Sequence, residues 1–152
     1  METDNSPWYV KAPAGSPDTY VTTRTVELQW KGAPAWIKKI IGSNVYSDST
    51  GSVWQDPVGN LWCRIRKGFF FDVSFIGGNK KTLPGALPHD WMYVHVIDLA
   101  AQFGVSRRVM LHIADHWFLA TLRMSGWILP RTYFIAVRTF GYAFNSLMKA
   151  IK

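Results

Sequence analysis

The feature that most limits how this chain can fold is a single change of rhythm. Up to residue 76, apolar side chains come in short β-branched or aromatic runs, separated by Gly, Pro, Asn and Asp. From residue 87 onward they recur at helical spacing. A period of two builds strands, and a period near 3.6 builds helices. A chain that makes this change once keeps its strands apart from its helices. The expectation is an α+β fold, with a small antiparallel β-sheet in the N-terminal half followed by a three-helix unit.

A length of 152 residues suits one domain with a real core. Residues 1–19, rich in Pro, Gly, Ser and Asp, are expected to form an extended N-terminal arm. Residues 20–152 form the α+β domain, mainly β over 20–76 and mainly α over 87–152. Within it, residues 20–30 alternate and predict one strand. Residues 35–41 suit a short helix or strand, and 43–52 a loop. Residues 53–55 and 61–65 predict a hairpin around Asp56-Pro57-Val58-Gly59-Asn60. Residues 69–75 predict a further strand.

Pro88 suits a first helical turn. Over residues 89–103 the spacing puts His89, Tyr93, Val96, Ile97 and Ala100 on one face. Trp91, His95, Asp98 and Gln102 fall on a more polar one. Ser106 is a good N-cap for a second helix ending near Gly126. Pro130 opens a third, with Arg131, Arg138, Asn145 and Lys152 as its polar stripe.

Charge is unevenly spread. The net charge is +7, yet residues 1–106 are nearly balanced. Residues 107–152 carry seven basic side chains against one acidic, Asp115. Such a module attracts an anionic membrane surface or cell-wall polymer, and less specifically nucleic acid. The eight Trp residues supply core area and also suit membrane interfaces and sugar-binding surfaces. A single cysteine, Cys63, excludes an internal disulfide. The first residues lack the basic and apolar regions of a signal peptide. No uncharged apolar run reaches the roughly 18 residues that a transmembrane helix needs.

The chemistry-bearing residues gather late in the chain. His89 and Tyr93 stand one helical turn apart, and Asp90 neighbours Val94, Ile97 and Ala101, which predicts that it points away from water. Asp115 interrupts the apolar row Leu111, Phe118, Leu122. A buried carboxylate costs several kcal/mol unless a partner compensates it, and His89 on the adjacent helix is the candidate partner. An Asp–His pair fixes the imidazole tautomer and raises its basicity, as a general base requires. A purely structural network of Asp115 with Tyr93 or Arg108 uses the same residues. His112 and His116, four apart, have the spacing of two helical zinc ligands, with Asp115 or His89 as a third. Ile113 stands where a metalloprotease has its Glu. No Gly-Lys-Ser/Thr phosphate loop or Gly-x-Ser-x-Gly elbow is present.

Over roughly residues 64–141 the chain resembles a phage-encoded family, domain of unknown function 1353. The residues that carry the resemblance are Phe71-Asp72-Val73-Ser74, Leu87-Pro88-His89-Asp90-Trp91-Met92-Tyr93, Ser106-Arg107, Ala114-Asp115-x-x-Phe118 with Gly126, and Tyr133-x-x-Ala136-Val137-Arg138-x-Phe140-Gly141. Phe71 stands where that family has Thr, and Gly77 where it has Pro. The resemblance implies a bacteriophage or prophage protein of the virion or the infected bacterial cell. It implies no activity.

Locally, His89-Asp90-x-x-Tyr93 followed by Ala114-Asp115 is similar to the active site of secretory phospholipase A-2 and its parvovirus capsid relative. That similarity implies His89 as the base that activates water, with Tyr93 and Asp115 holding it. It also implies calcium on Asp90 and on backbone oxygens of a Gly-rich loop, here Gly77 and Gly78. Met92 replaces a cysteine common in that family. Three functions follow as expectations. One is a calcium-assisted hydrolase of lipid esters, working as phage enters or leaves its host. Another is a peptidoglycan hydrolase, with zinc at His112 and His116. The third is a non-enzymatic virion, tail or assembly protein.

Overall fold

The computed structural model describes residues 7–15, 20–71 and 83–124. The third helix, with its Arg131–Lys152 stripe, lies outside the described residues. So do Gly77, Gly78 and residues 72–75 of the expected strand. The architecture is α+β, with two small antiparallel sheets and four helices among the described residues.

One sheet has strand order β1-β2-β7, from Tyr9–Lys11, Tyr20–Thr22 and Phe70–Phe71. The other has order β3-β6-β5-β4, from Val26–Trp30, Leu61–Ile65, Gly51–Gln55 and Tyr46–Ser47. The expected arm therefore contributes an edge strand, Tyr9–Lys11, paired with Tyr20–Thr22. The 43–52 stretch holds β4 as well as loop.

The single strand expected over 20–30 is in fact two strands in different sheets. Thr22 is the reason. It is buried, its hydroxyl donates to the Arg66 carbonyl at 3.1 Å, and it accepts from the Phe69 amide at 2.9 Å. The turn that follows β6 thus grips the chain at Thr22 and splits one run of alternation between two sheets. Alternation carries no mark of such a switch.

The hairpin of β5 and β6 forms around the Asp56 turn as expected. The Asp56 carboxylate accepts from the Val58 and Asn60 amides at 3.1 and 2.9 Å, and Gly59 takes φ 89°. Among the described residues, helices cover one side of the four-stranded sheet. Val53, Leu61, Cys63 and Ile65 are fully buried on its inner face.

Against that face lie α1 (Ala35–Ile41), α2 (Leu83–Val94) and α4 (Arg107–Met124), with α3 (Val96–Phe103) packed on α4. Trp30 on β3 meets Trp117 on α4, ring centroids 5.6 Å apart. α2 packs chiefly on α4, and Gly85 is what lets it approach: a Cβ there would stand 2.6 Å from the Phe118 ring.

The helical segment departs from expectation in two ways. α2 begins at Leu83, so Pro84 occupies the first turn and Pro88 lies inside the helix. The helix also breaks at His95, before α3 starts at Val96. The expected faces do not hold either. Trp91, placed on the polar side, is fully buried, while Val94 and Ile97 are 70% and 58% exposed. α2 has α4 on one side and the sheet on the other, so it is covered on two faces and a one-stripe reading fails. Further on, Gly104 ends α3 in the left-handed conformation, and Ser106 Oγ accepts from the Val109 amide at 3.3 Å to start α4.

Candidate functional site

The α2–α4 contact brings His89, Tyr93 and Asp115 together. Asp115 is 0% exposed and His89 7%. His89 Nε2 lies 3.0 Å from Asp115 Oδ1, and the Tyr93 hydroxyl donates to the same oxygen at 2.7 Å. Tyr93, one turn after His89, also sets its ring against the imidazole at 4.2 Å, and Phe118 of α4 adds its own at 5.2 Å. The imidazole is therefore fixed in position and plane. Among the described residues Asp115 Oδ2 is buried with no hydrogen-bond partner, so His89 is what balances the carboxylate there.

The other nitrogen, His89 Nδ1, faces Asp90 Oδ1 at 3.2 Å. Burial is the largest influence on His89 and pulls its pKa down. Hydrogen bonds and charge from Asp115 and Asp90 outweigh it and push the pKa up to about 9. In this state His89 is an imidazolium between two carboxylates. It becomes a base only when Asp90 turns away from Nδ1. The Asp90 side chain is 27% exposed. That exposure corrects the expected apolar row: Val94 and Ile97, meant to shield Asp90, are themselves at the surface.

Calcium takes six to eight oxygen ligands. Among the described residues near His89, Asp90 is the one carboxylate with an exposed edge, since Asp115 is fully enclosed. Gly77 and Gly78 are outside the described residues. The described residues alone do not compose a calcium site. No group of three or more His, Cys, Asp or Glu among them is placed to hold a metal ion. His112 and His116 do converge, with Nε2 atoms 3.0 Å apart and both rings against Trp36 at 5.7 Å. The third ligands considered for them, Asp115 and His89, are bonded to each other. Cys63 is fully buried, and burial pushes its thiol pKa up, which keeps it protonated and unreactive.

A second histidine cluster escaped the sequence altogether. His95, at the α2–α3 break, directs Nδ1 to the Trp91 carbonyl at 2.8 Å. Its Nε2 lies 2.9 Å from Thr50 Oγ1 and 3.1 Å from Asp48 Oδ2. The Trp91 indole donates to the same Thr50 hydroxyl at 3.0 Å. Asp48-x-Thr50-Gly51 is a readable turn signature, and Asp48 Oδ1 does accept from the Thr50 and Gly51 amides at 2.7 and 3.0 Å. Nothing in that turn points to a histidine 45 residues away.

Of the basic module, Arg107, Arg108 and Arg123 fall on α4, and its other cations lie outside the described residues. No described helix is long and apolar enough to cross a membrane. No protein-family model, curated protein or solved structure matches this chain.

Proposed function

We propose that this chain is a phage hydrolase of lipid esters, of the phospholipase A-2 type, acting at an anionic membrane surface on the way into or out of the host. The observation that supports this best is the shared oxygen Asp115 Oδ1, which takes both His89 Nε2 and the Tyr93 hydroxyl. Nε2 is thereby tied down, and Nδ1 is left on the side of the more exposed Asp90.

In that role Asp90 swings off Nδ1, and the neutral imidazole takes a proton from water as the oxygen adds to the ester carbonyl. The tetrahedral adduct collapses, the proton passes from Nδ1 to the leaving alkoxide, and acid and alcohol depart. Asp115 stabilises the transient imidazolium and fixes the tautomer without itself accepting the proton. Asp90 and backbone oxygens of Gly77 and Gly78 would hold a calcium ion, which would supply polarisation of the ester carbonyl. The basic module seats the protein on anionic lipid.

Fatty-acid release from mixed anionic vesicles tests this, over a range of calcium concentrations. Release by the native chain and none by His89→Gln is the expected result. No release at any calcium level overturns it.

A non-enzymatic role in the virion is the second reading. It is favoured by the engagement of both His89 nitrogens in a ring only 7% exposed. It predicts assembly defects in site variants that retain wild-type membrane chemistry.

A further inference from the structure

We infer that the outer face of the four-stranded sheet, centred on Trp54 and Trp62, is a binding surface for a neutral saccharide chain. The pairing register sets Trp54, Trp62 and Gln29 in one row across β5, β6 and β3, with Arg64 and Glu27 in the next. The inner face of the same sheet carries the core. An exposed sheet face is ordinarily polar, so the core has no need of two indoles here. Both rings are half-buried, near-parallel at 7°, with centroids 6.1 Å apart.

Each ring is held from outside the pair. The Trp62 indole donates to Asp56 Oδ2 at 2.9 Å. Arg64 lies over the Trp54 ring at 5.2 Å, and Glu27 fixes that guanidinium through Nε at 2.7 Å and Nη2 at 2.6 Å. Rings already oriented lose little freedom when a ligand lands on them.

Charge selects the ligand. Glu27 neutralises Arg64, and Asp56 carries negative charge at the edge of the Trp62 ring. A phosphate backbone or acidic polymer finds no spare cation among these residues. A pyranose offers what the surface matches: a C–H face for the exposed parts of the two indoles that Arg64 leaves uncovered, and hydroxyls for Gln29, Arg64 and Glu27. The helices that hold His89 lie against the opposite face of the sheet, so this surface and the His89 site are independent.

The test is calorimetric titration of the full chain with cellohexaose and chitohexaose, beside oligogalacturonate and a thymidine oligonucleotide. Millimolar or tighter binding of a neutral hexaose is expected, weakened about tenfold or more by Trp54→Ala and by Trp62→Ala. Glu27→Gln should add affinity for oligogalacturonate, because it frees the Arg64 charge. Where an alanine variant fails to fold, Trp54→Tyr and Trp62→Phe keep a ring and should retain part of the affinity. On the native chain, saturating hexaose should shift the Trp54 and Trp62 indole N–H resonances ahead of the other six. The inference is overturned if neither hexaose binds at about 10 mM, if only the anionic probes bind, or if both tryptophan variants bind like the native chain.

Discussion

His89 and His95 sit six residues apart on one helical stretch, and their surroundings differ in kind. His89 faces a carboxylate from each ring nitrogen, one of them fully enclosed. His95 gives one nitrogen to a backbone carbonyl and the other to a hydroxyl and a carboxylate that the turn has already satisfied. Burial works against charged Asp48, yet donors from Thr50, Tyr46 and Gly51 outweigh it and hold its pKa below the usual value. Asp48 is thus compensated mainly by its own turn, and Asp115 mainly by His89. In the first cluster charge is balanced across two helices. In the second, geometry is fixed by a loop, and the histidine is one contact among several.

The largest consequence concerns Asp115. Asp115→Ala leaves an imidazolium without its main partner and the Tyr93 hydroxyl without an acceptor. Breaking a buried pair from one side costs about 3–5 kcal/mol. Urea unfolding near neutral pH should show a loss of that size, while His95→Gln costs less than half as much. Equal losses would erase the distinction between the clusters.

Next is pH. The folded pKa of His89, about 9, lies above its usual value of 6.5. The folded protein therefore holds this proton more tightly than the unfolded chain does. The stabilisation is complete below about pH 6.5 and is lost as pH rises through about 9. The shift corresponds to about 3 kcal/mol. Unfolding free energies at pH 6 and pH 10 should differ by roughly that amount. The difference should shrink sharply in His89→Gln. A pH profile unchanged by the substitution would show that the two carboxylates do not hold His89 protonated.

Thr50→Val probes the second cluster. It removes the acceptor of the Trp91 indole and one of the donors to Asp48. Leaving a buried donor unsatisfied costs about 1–3 kcal/mol, so a loss near 2 kcal/mol is expected in thermal or urea unfolding. Thr50→Ser should recover most of it. No recovery would mean that the methyl group matters and the hydroxyl does not.

The two clusters also mark how far sequence goes. Asp115 was legible because one carboxylate in an apolar helical row demands a partner, and His89 and Tyr93 carry the needed atoms at one-turn spacing. The break at His95 was not legible, and neither was the burial of Trp91, which comes from the cover of α2 on two faces, or the exposure of Val94 and Ile97. Local spacing assumes an unbroken helix, whereas His95 is held by a loop far away in the chain. The strand switch after Thr22 was hidden for the same reason: its cause is the 66–69 turn, reached only through tertiary contact. The hairpin at Asp56 was legible because all its instructions lie within a few residues.

Asp90 gives the smallest effect and the sharpest division. Its carboxylate meets His89 Nδ1 at 3.2 Å, but the side chain is 27% exposed where that of Asp115 is 0%. Water therefore screens the contact and can replace it, so Asp90→Asn should cost about 1 kcal/mol or less. Asparagine keeps the shape and can still turn its carbonyl toward Nδ1–H, which trims the loss further. Lipid-ester hydrolysis, in contrast, should fall as far as in His89→Gln if Asp90 positions a cation there. Near-native stability with activity abolished would separate the role of Asp90 from that of Asp115. A loss of stability as large as that of Asp115→Ala would instead place Asp90 in the same structural pair, and both carboxylates would then serve mainly to keep His89 charged.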